Sequence, residues 1–88
     1  GEKELLKIIR TELSAIQERL NERNIEISFS KRVEKYILNK IKSEKNHARQ
    51  IKSSVKALVQ VPISNYIVKN RAVEKISINV VDKTLEFV

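Results

Sequence analysis

The stretch Asn24-Ile25-Glu26-Ile27-Ser28-Phe29-Ser30 decides the fold class, because the hydrophobic period changes within it. Upstream of it, Leu6, Ile9, Leu13, Ile16 and Leu20 recur at alternating steps of three and four, which places them on one stripe of a helix. Inside it, Ile25, Ile27 and Phe29 alternate with Glu26 and Ser28, the period of a short strand with one buried face. Ser30 then stands where a hydroxyl can accept a bond from a backbone N–H in the first turn of a following helix. Helix, strand and second helix in quick succession predict an α+β fold.

Working outward, the first helix is predicted from about Lys3 to Glu22. Leu5 and Ile8 widen its apolar stripe, and Lys3, Lys7, Arg10, Gln17 and Asn21 lie on the wet side. The stripe lasts under three heptads, which suits a bundle or lid helix better than a coiled coil. The second helix runs to about Lys42, with Val33, Ile37 and Ile41 spaced four apart and Tyr36 beside them; Ser43 to Asn46 is a polar connection. A third helix begins near Asn46. Ile51, Val55 and Val59 recur every fourth residue, with Leu58 on the same side. Pro62 removes a backbone donor and clashes with the preceding turn, so it either kinks a long helix or opens a new one. Ile63, Tyr66 and Ile67 carry the stripe past it, and Asn70 and Arg71 lead out.

The last part is a hairpin: Ile76, Ile78 and Val80 alternate with Ser77 and Asn79, and Leu85 and Phe87 with Thr84, Glu86 and Val88. The Asp82-Lys83 turn lacks glycine, so either Asp82 takes an unfavourable backbone region or the loop is longer than two residues. A hairpin alone is marginal. It is expected to pair with the Ile25–Phe29 strand in a three-stranded sheet under the helices. The expectation is a single α+β domain over residues 1–88, ordered α-β-α-α-β-β, with three helical segments packed on a small three-stranded sheet.

Composition removes several function classes. The 88 residues contain no Cys and one His, which excludes disulfides, thiolate zinc sites, cysteine catalysis and any multi-histidine metal site. Gly1 is the only glycine and can be a cloning remnant, so the chain holds no Gly-rich phosphate loop. No apolar run approaches the ~20 residues of a membrane span, and no signal peptide is visible. Asp82 is the only aspartate and sits in a turn. No triad or paired-carboxylate arrangement can be built from local spacing. His47 reads as a surface loop residue.

Eighteen Lys and Arg against eleven Asp and Glu give a net charge of +7. The basic residues are scattered, with no block of five like charges, as on ordinary solvated faces. The charge does support a second reading, a small basic nucleic-acid-binding module. That reading lacks an aromatic platform, since Phe29 and Phe87 belong to the apolar set and Tyr36 and Tyr66 lie on helices. A structural adaptor using an apolar helix face is a third.

Arg49 breaks a local rule. It falls in the first turn of the third helix, where positive charge opposes the helix dipole by ~0.3–1 kcal/mol. Beside free backbone N–H groups, its guanidinium would make an anion clamp. Lys31 and Arg32 also occupy a helix first turn, so the position alone is not distinctive.

The larger pattern is. Ala48-Arg49-Gln50-Ile51, then Val55, Val59, Pro62-Ile63 and Ile67-Val68, resembles the C-terminal small subdomain of the Clp-type AAA+ unfoldases, the ClpB/ClpA/ClpC group. That family typically reads Gly-Ala-Arg-Pro-Leu, then apolar residues at successive steps of four, then Pro-Leu and a pair of aliphatics. Leu13, Ile16 and Leu20 followed by Asn24 to Ser30 are similar to the family's long helix, short strand and serine-type cap. The terminal hairpin is similar too, so the resemblance covers nearly the whole chain.

The resemblance implies the lid subdomain of a larger ATPase that unfolds proteins. It implies that Arg49 acts as the second sensor, reaching nucleotide held by the large subdomain. ATP and Mg²⁺ would be bound mainly by that large subdomain, and this chain alone would be catalytically inactive. The implied partners are its own large AAA+ subdomain, a homo-oligomeric ring (a hexamer) and unfolded protein substrates, with neither membrane nor nucleic acid. The implied compartment is the cytoplasm, or an organelle matrix or stroma. The chain departs from the family pattern at His47, where the family has glycine, and at Gln50, where it often has proline. Ser43-Glu44-Lys45-Asn46 replaces a Gly-Tyr-Asp-Pro-type loop, and Lys69-Asn70-Arg71 a glycine-ended exit.

Overall fold

The computed structural model describes residues 1–43 and 51–88. Its elements are α1 (Glu2–Asn21), β1 (Glu26–Phe29), α2 (Lys31–Ser43), α3 (Ile51–Val55), a π-helical turn (Lys56–Gln60), α4 (Val61–Lys69), β2 (Lys75–Val81) and β3 (Thr84–Phe87). The dihedrals stay helical at Val55, Gln60 and Val61, so α3, the π turn and α4 form one rod. Counting that rod as the third helix gives the anticipated order, α-β-α-α-β-β.

The strands form one sheet in the order β1-β2-β3, with β1 parallel and β2 antiparallel to their neighbours β2 and β3 respectively. Ile27 lies opposite Ile76, and Phe29 opposite Ile78. On the second ladder Ile78 faces Phe87 and Val80 faces Leu85. Because side chains alternate across a sheet, this register gathers the apolar residues of all three strands on one face. The helices cover that face. Ser28, Ser77, Thr84 and Glu86 stay exposed on the other. The buried residues among those described are all aliphatic: Ile9, Leu13 and Ile16 from α1, Val33, Ile37, Leu38 and Ile41 from α2, Ile51, Val55, Val59 and Ile63 from the rod, and Ile25, Ile27, Ile76 and Ile78 from the sheet side. Burying each side chain contributes roughly 1.5–3 kcal/mol. Tyr66 of α4 stacks on Phe87 of β3 at 5.7 Å between ring centroids and ties the rod to the hairpin.

The rod shows how its sequence period is satisfied. Residues four apart advance about 40° beyond a full α-helical turn, so in a plain α-helix Ile63 would face about 120° away from Ile51. Yet Ile51, Val55, Val59 and Ile63 are all at most 1% exposed. The π turn, whose bonds span five residues, winds more slowly and keeps the stripe on the core side. Its closing bond runs from the Val61 N–H to the Lys56 carbonyl. The same turn precedes Pro62, which sits in the first turn of α4. In an uninterrupted α-helix the Pro62 ring would press on the Leu58 carbonyl and leave it without a donor. Pro62 thus falls between the two outcomes anticipated for it: the helix continues, through a change of winding.

Two chain reversals use left-handed backbone without glycine. Asn24 has φ 62°. Around it the Ile25 N–H bonds the Leu20 carbonyl at 2.9 Å and the Asn24 N–H bonds the Asn21 carbonyl at 3.0 Å. This is a Schellman closure of α1, with the buried Ile25 as the apolar residue that follows it. Asp82 and Lys83 have φ 51° and 63°, a two-residue turn between the paired Val81 and Thr84. The loop is therefore as short as it looked, and Asp82 does take the unfavourable region, together with Lys83.

Two side chains depart from their anticipated roles. The Ser30 hydroxyl donates to Asn79 Oδ1 at 2.7 Å, and the Ser30 carbonyl accepts the Val33 N–H at 3.1 Å. The hydroxyl is drawn to β2 because the parallel ladder ends there, with the Ser30 N–H on the Ile78 carbonyl. Gln17, anticipated on the wet side of α1, is half-buried and donates Nε2–H to the Ile27 carbonyl at 2.9 Å. It covers the outer edge of β1, where no strand follows among the described residues.

Candidate functional site

Arg49, with its neighbours His47 and Gln50, lies in residues 44–50, outside the described residues. What is described are the two anchors on either side. At the end of α2, Ile41 is buried and the Ser43 hydroxyl donates to the Lys40 carbonyl at 3.0 Å. Lys42 forms an ion pair with Glu2, which moors the end of α2 to the start of α1. Hydrogen bonding from Lys42, then its charge, then the charge of Lys35 hold the Glu2 carboxyl below its ordinary value; burial opposes this weakly. On the far side, Ile51 is fully buried and Lys52 approaches Glu12 at 4.0 Å. Both ends of the segment are therefore fixed against α1, near its first residue and near its middle.

The described surface carries its charge unevenly. Arg10 Nε donates to both carboxylate oxygens of Glu34 at 3.0 Å, linking α1 to α2. That contact uses the acid of the first turn of α2 and leaves Lys31 and Arg32 there without an ion pair among the described residues. On the other side of α2, Arg32, Lys35, Tyr36, Asn39, Lys40 and Ser43 face Val80 and Lys83 across a groove of about 550 Å³. A smaller cleft of about 230 Å³ between α1 and the rod holds Arg19, Arg23, Gln60 and Ser64 over Ile16, Leu20 and Ile63. In it Arg19 Nη2 lies 3.4 Å from Gln60 Oε1.

These groups fit anion recognition. They do not fit a divalent metal: among the described residues no three of His, Cys, Asp or Glu come together. Nor, among them, is any helix long and apolar enough to cross a membrane. The half-buried Phe29 and Phe87 do not form an open aromatic platform.

Residues 1–80 match the family model of the C-terminal, D2-small domain, of ClpB protein. The chain belongs to that ClpB D2-small family. No curated protein matches it significantly. Membership sets the chain in a Clp chaperone and AAA+ context. The match runs through residues 44–50, where Arg49 lies, and through most of β2; it ends before β3 (Thr84–Phe87), the strand that completes the sheet of this D2-small domain. Beside the Ser30 and Gln17 contacts, the π turn is a third feature of the matched region that sequence reading missed. Its signal was present in the unbroken spacing of four from Ile51 to Ile67, which a plain α-helix cannot keep on one side.

Proposed function

We propose that this ClpB D2-small domain is the lid of a ring-forming, ATP-dependent protein unfoldase, and that it closes the nucleotide site of its own large AAA+ module through Arg49. Residues 1–88 are one domain of a larger chain that assembles as a homo-oligomeric ring, a hexamer, and acts on unfolded proteins. Its setting is the cytoplasm, or an organelle matrix or stroma. ATP and Mg²⁺ belong to the large module; this chain contributes a cation.

The supporting observation is a family match whose span, residues 1–80, includes Arg49, between described flanks that are paired to α1. The physics is adequate. A guanidinium 4 Å from a unit charge interacts on the order of 4 kcal/mol at an effective dielectric near 20. Such a contact weakens when that charge departs, which frees lid and large module to rotate.

The test is Arg49→Ala in the full-length protein. ATP turnover, or its coupling to unfolding, should fall while the melting temperature of the domain stays unchanged; Arg49→Lys should restore part of it. Ile51→Ala serves as the contrasting variant, since it removes a fully buried side chain two positions away and should lower stability by roughly 2–5 kcal/mol. Unchanged turnover and nucleotide affinity in Arg49→Ala would remove the sensor role. Micromolar ATP binding by the 88 residues alone would contradict the assignment of the nucleotide site to the large module.

A further inference from the structure

We propose that the groove between α2 and the β2–β3 turn is a docking site for an acidic segment of another polypeptide, one that carries an aliphatic side chain among its carboxylates. Four cations line it, Arg32, Lys35, Lys40 and Lys83, and among the described residues no carboxylate does. Arg32, Lys35 and Lys83 form no ion pair among the described residues. Glu2, which Lys35 influences, is paired with Lys42, and Glu34 is paired with Arg10. The basic residues continue around α2: Lys31, Arg32 and Lys35 also line the adjoining hollow with Arg10, which there holds the carboxylate of Glu34. The groove's size, about 550 Å³, suits a few residues of peptide.

A second observation is energetic. Lys31 and Arg32 stand in the first turn of α2, where the helix dipole disfavours cations. The acid that could offset them there, Glu34, is engaged by Arg10 of α1. Two cations held in that turn against the local preference would gain from an anionic partner.

The lining also selects the kind of partner. Tyr36 and Val80 are half-buried and give the groove an apolar floor. The Lys40 ammonium lies 5.8 Å from the centroid of the Tyr36 ring, over its face. The groove thus offers one ring, already met by a cation, whereas single-stranded nucleic acid is held on several aromatic faces in succession. Self-pairing through this groove is unsuited as well, since it would set the four cations of one copy against those of the other. Asn39 and Ser43 supply neutral hydrogen-bonding groups along the helix side.

The experiment uses the 88-residue chain and three fluorescent probes: a short Glu/Asp peptide with one central leucine, the same peptide with glycine for leucine, and a single-stranded oligonucleotide of similar charge. Anisotropy is read at about 150 mM salt, where long-range attraction is screened. The leucine peptide should bind tightest, and amide shifts should be confined to Arg32–Ser43 and Val80–Lys83. Arg32→Glu combined with Lys35→Glu should weaken binding by roughly tenfold or more. The same double variant should melt at the same or a higher temperature, since an acid in the first turn suits the dipole. Loss of binding therefore cannot be assigned to unfolding. Equal binding of the leucine and glycine peptides, tighter binding of the oligonucleotide, or undiminished binding by the double variant would each overturn the proposal.

Discussion

Lys83→Gly should make the domain more stable, although it removes a side chain and adds none. Lys83 has φ 63° in a two-residue turn, and its partner Asp82 has φ 51°. An L-residue in left-handed backbone costs about 1–2 kcal/mol, because Cβ crowds the following carbonyl. Aspartate relieves part of this with a short polar side chain; lysine does not. Glycine removes the strain and matches the turn type that tight hairpins favour. Against this, glycine frees the unfolded chain by about 0.4–1 kcal/mol. The difference is a gain of roughly 0.5–1 kcal/mol. For a domain of this size that raises the melting temperature by about 2–8 °C. The assay is thermal unfolding followed by far-UV circular dichroism, with Lys83→Val in parallel. Both variants delete the same charge, so charge effects cancel between them, and only the valine keeps a Cβ, branched as well, in a region that excludes it. Lys83→Val should fall below the parent by about 1 kcal/mol or more. If glycine melts below the parent, or if glycine and valine melt together, the left-handed turn does not carry the strain assigned to it.

Gln17→Leu should destabilise by about 1–2 kcal/mol, because the Ile27 carbonyl would lose the amide that covers it at the sheet edge; a urea midpoint equal to the parent's would show that water replaces the amide freely. Glu2→Gln should lower the melting temperature slightly at neutral pH and not at all in acid. The Glu2 carboxyl is held below its ordinary value in the folded chain, so its contribution is present above that ordinary value, near 4.5, and is lost as pH falls through the lowered one. The difference in melting temperature between parent and variant should therefore shrink as pH falls below 4.5 and vanish once pH is below the lowered value. Curves that stay apart there would mean that the Lys42 contact is not what Glu2 contributes.

Where the sequence speaks through period, it could be read. The step from threes and fours to twos at Ile25 separates α1 from β1, and the paired alternations around Asp82-Lys83 give the hairpin. The register is then forced, since a shift of one residue would turn Ile76 and Ile78 to the solvent face. What could not be read are choices between near-equal partners. Ser30 could bond the first turn of α2 or Asn79, and only the arrival of β2 beside β1 makes the second available. Gln17 sits on α1 as a polar residue like its neighbours, and nothing local says that a strand edge will lie within its reach. The cationic groove is of the same kind. Arg32, Lys35 and Lys40 are ordinary helix-surface residues until the β2–β3 turn brings Lys83 and Val80 opposite them. Charges scattered in sequence became concentrated in space through a long-range contact, which is why a search for blocks of like charge found none.

Ile51 and Pro62 look unrelated in the sequence, eleven positions apart, but one piece of geometry joins them. The rod has to present Ile51 at one end and Ile63 at the other to the same core, and both are at most 1% exposed. A uniformly α-helical rod could satisfy one end only, because the two residues would diverge by about 120°. Two features resolve this together. The slow winding of Lys56–Gln60 aligns the ends, and Pro62 makes that winding the preferred one, since it cannot donate to Leu58. The azimuth at which Ile51 enters the core, two residues after Arg49, is thus set partly by a proline at the other end. A change of winding at Pro62 would turn the start of the rod relative to α1 and the sheet, so the role proposed for Arg49 predicts that substituting Pro62 impairs ATP coupling as well as stability.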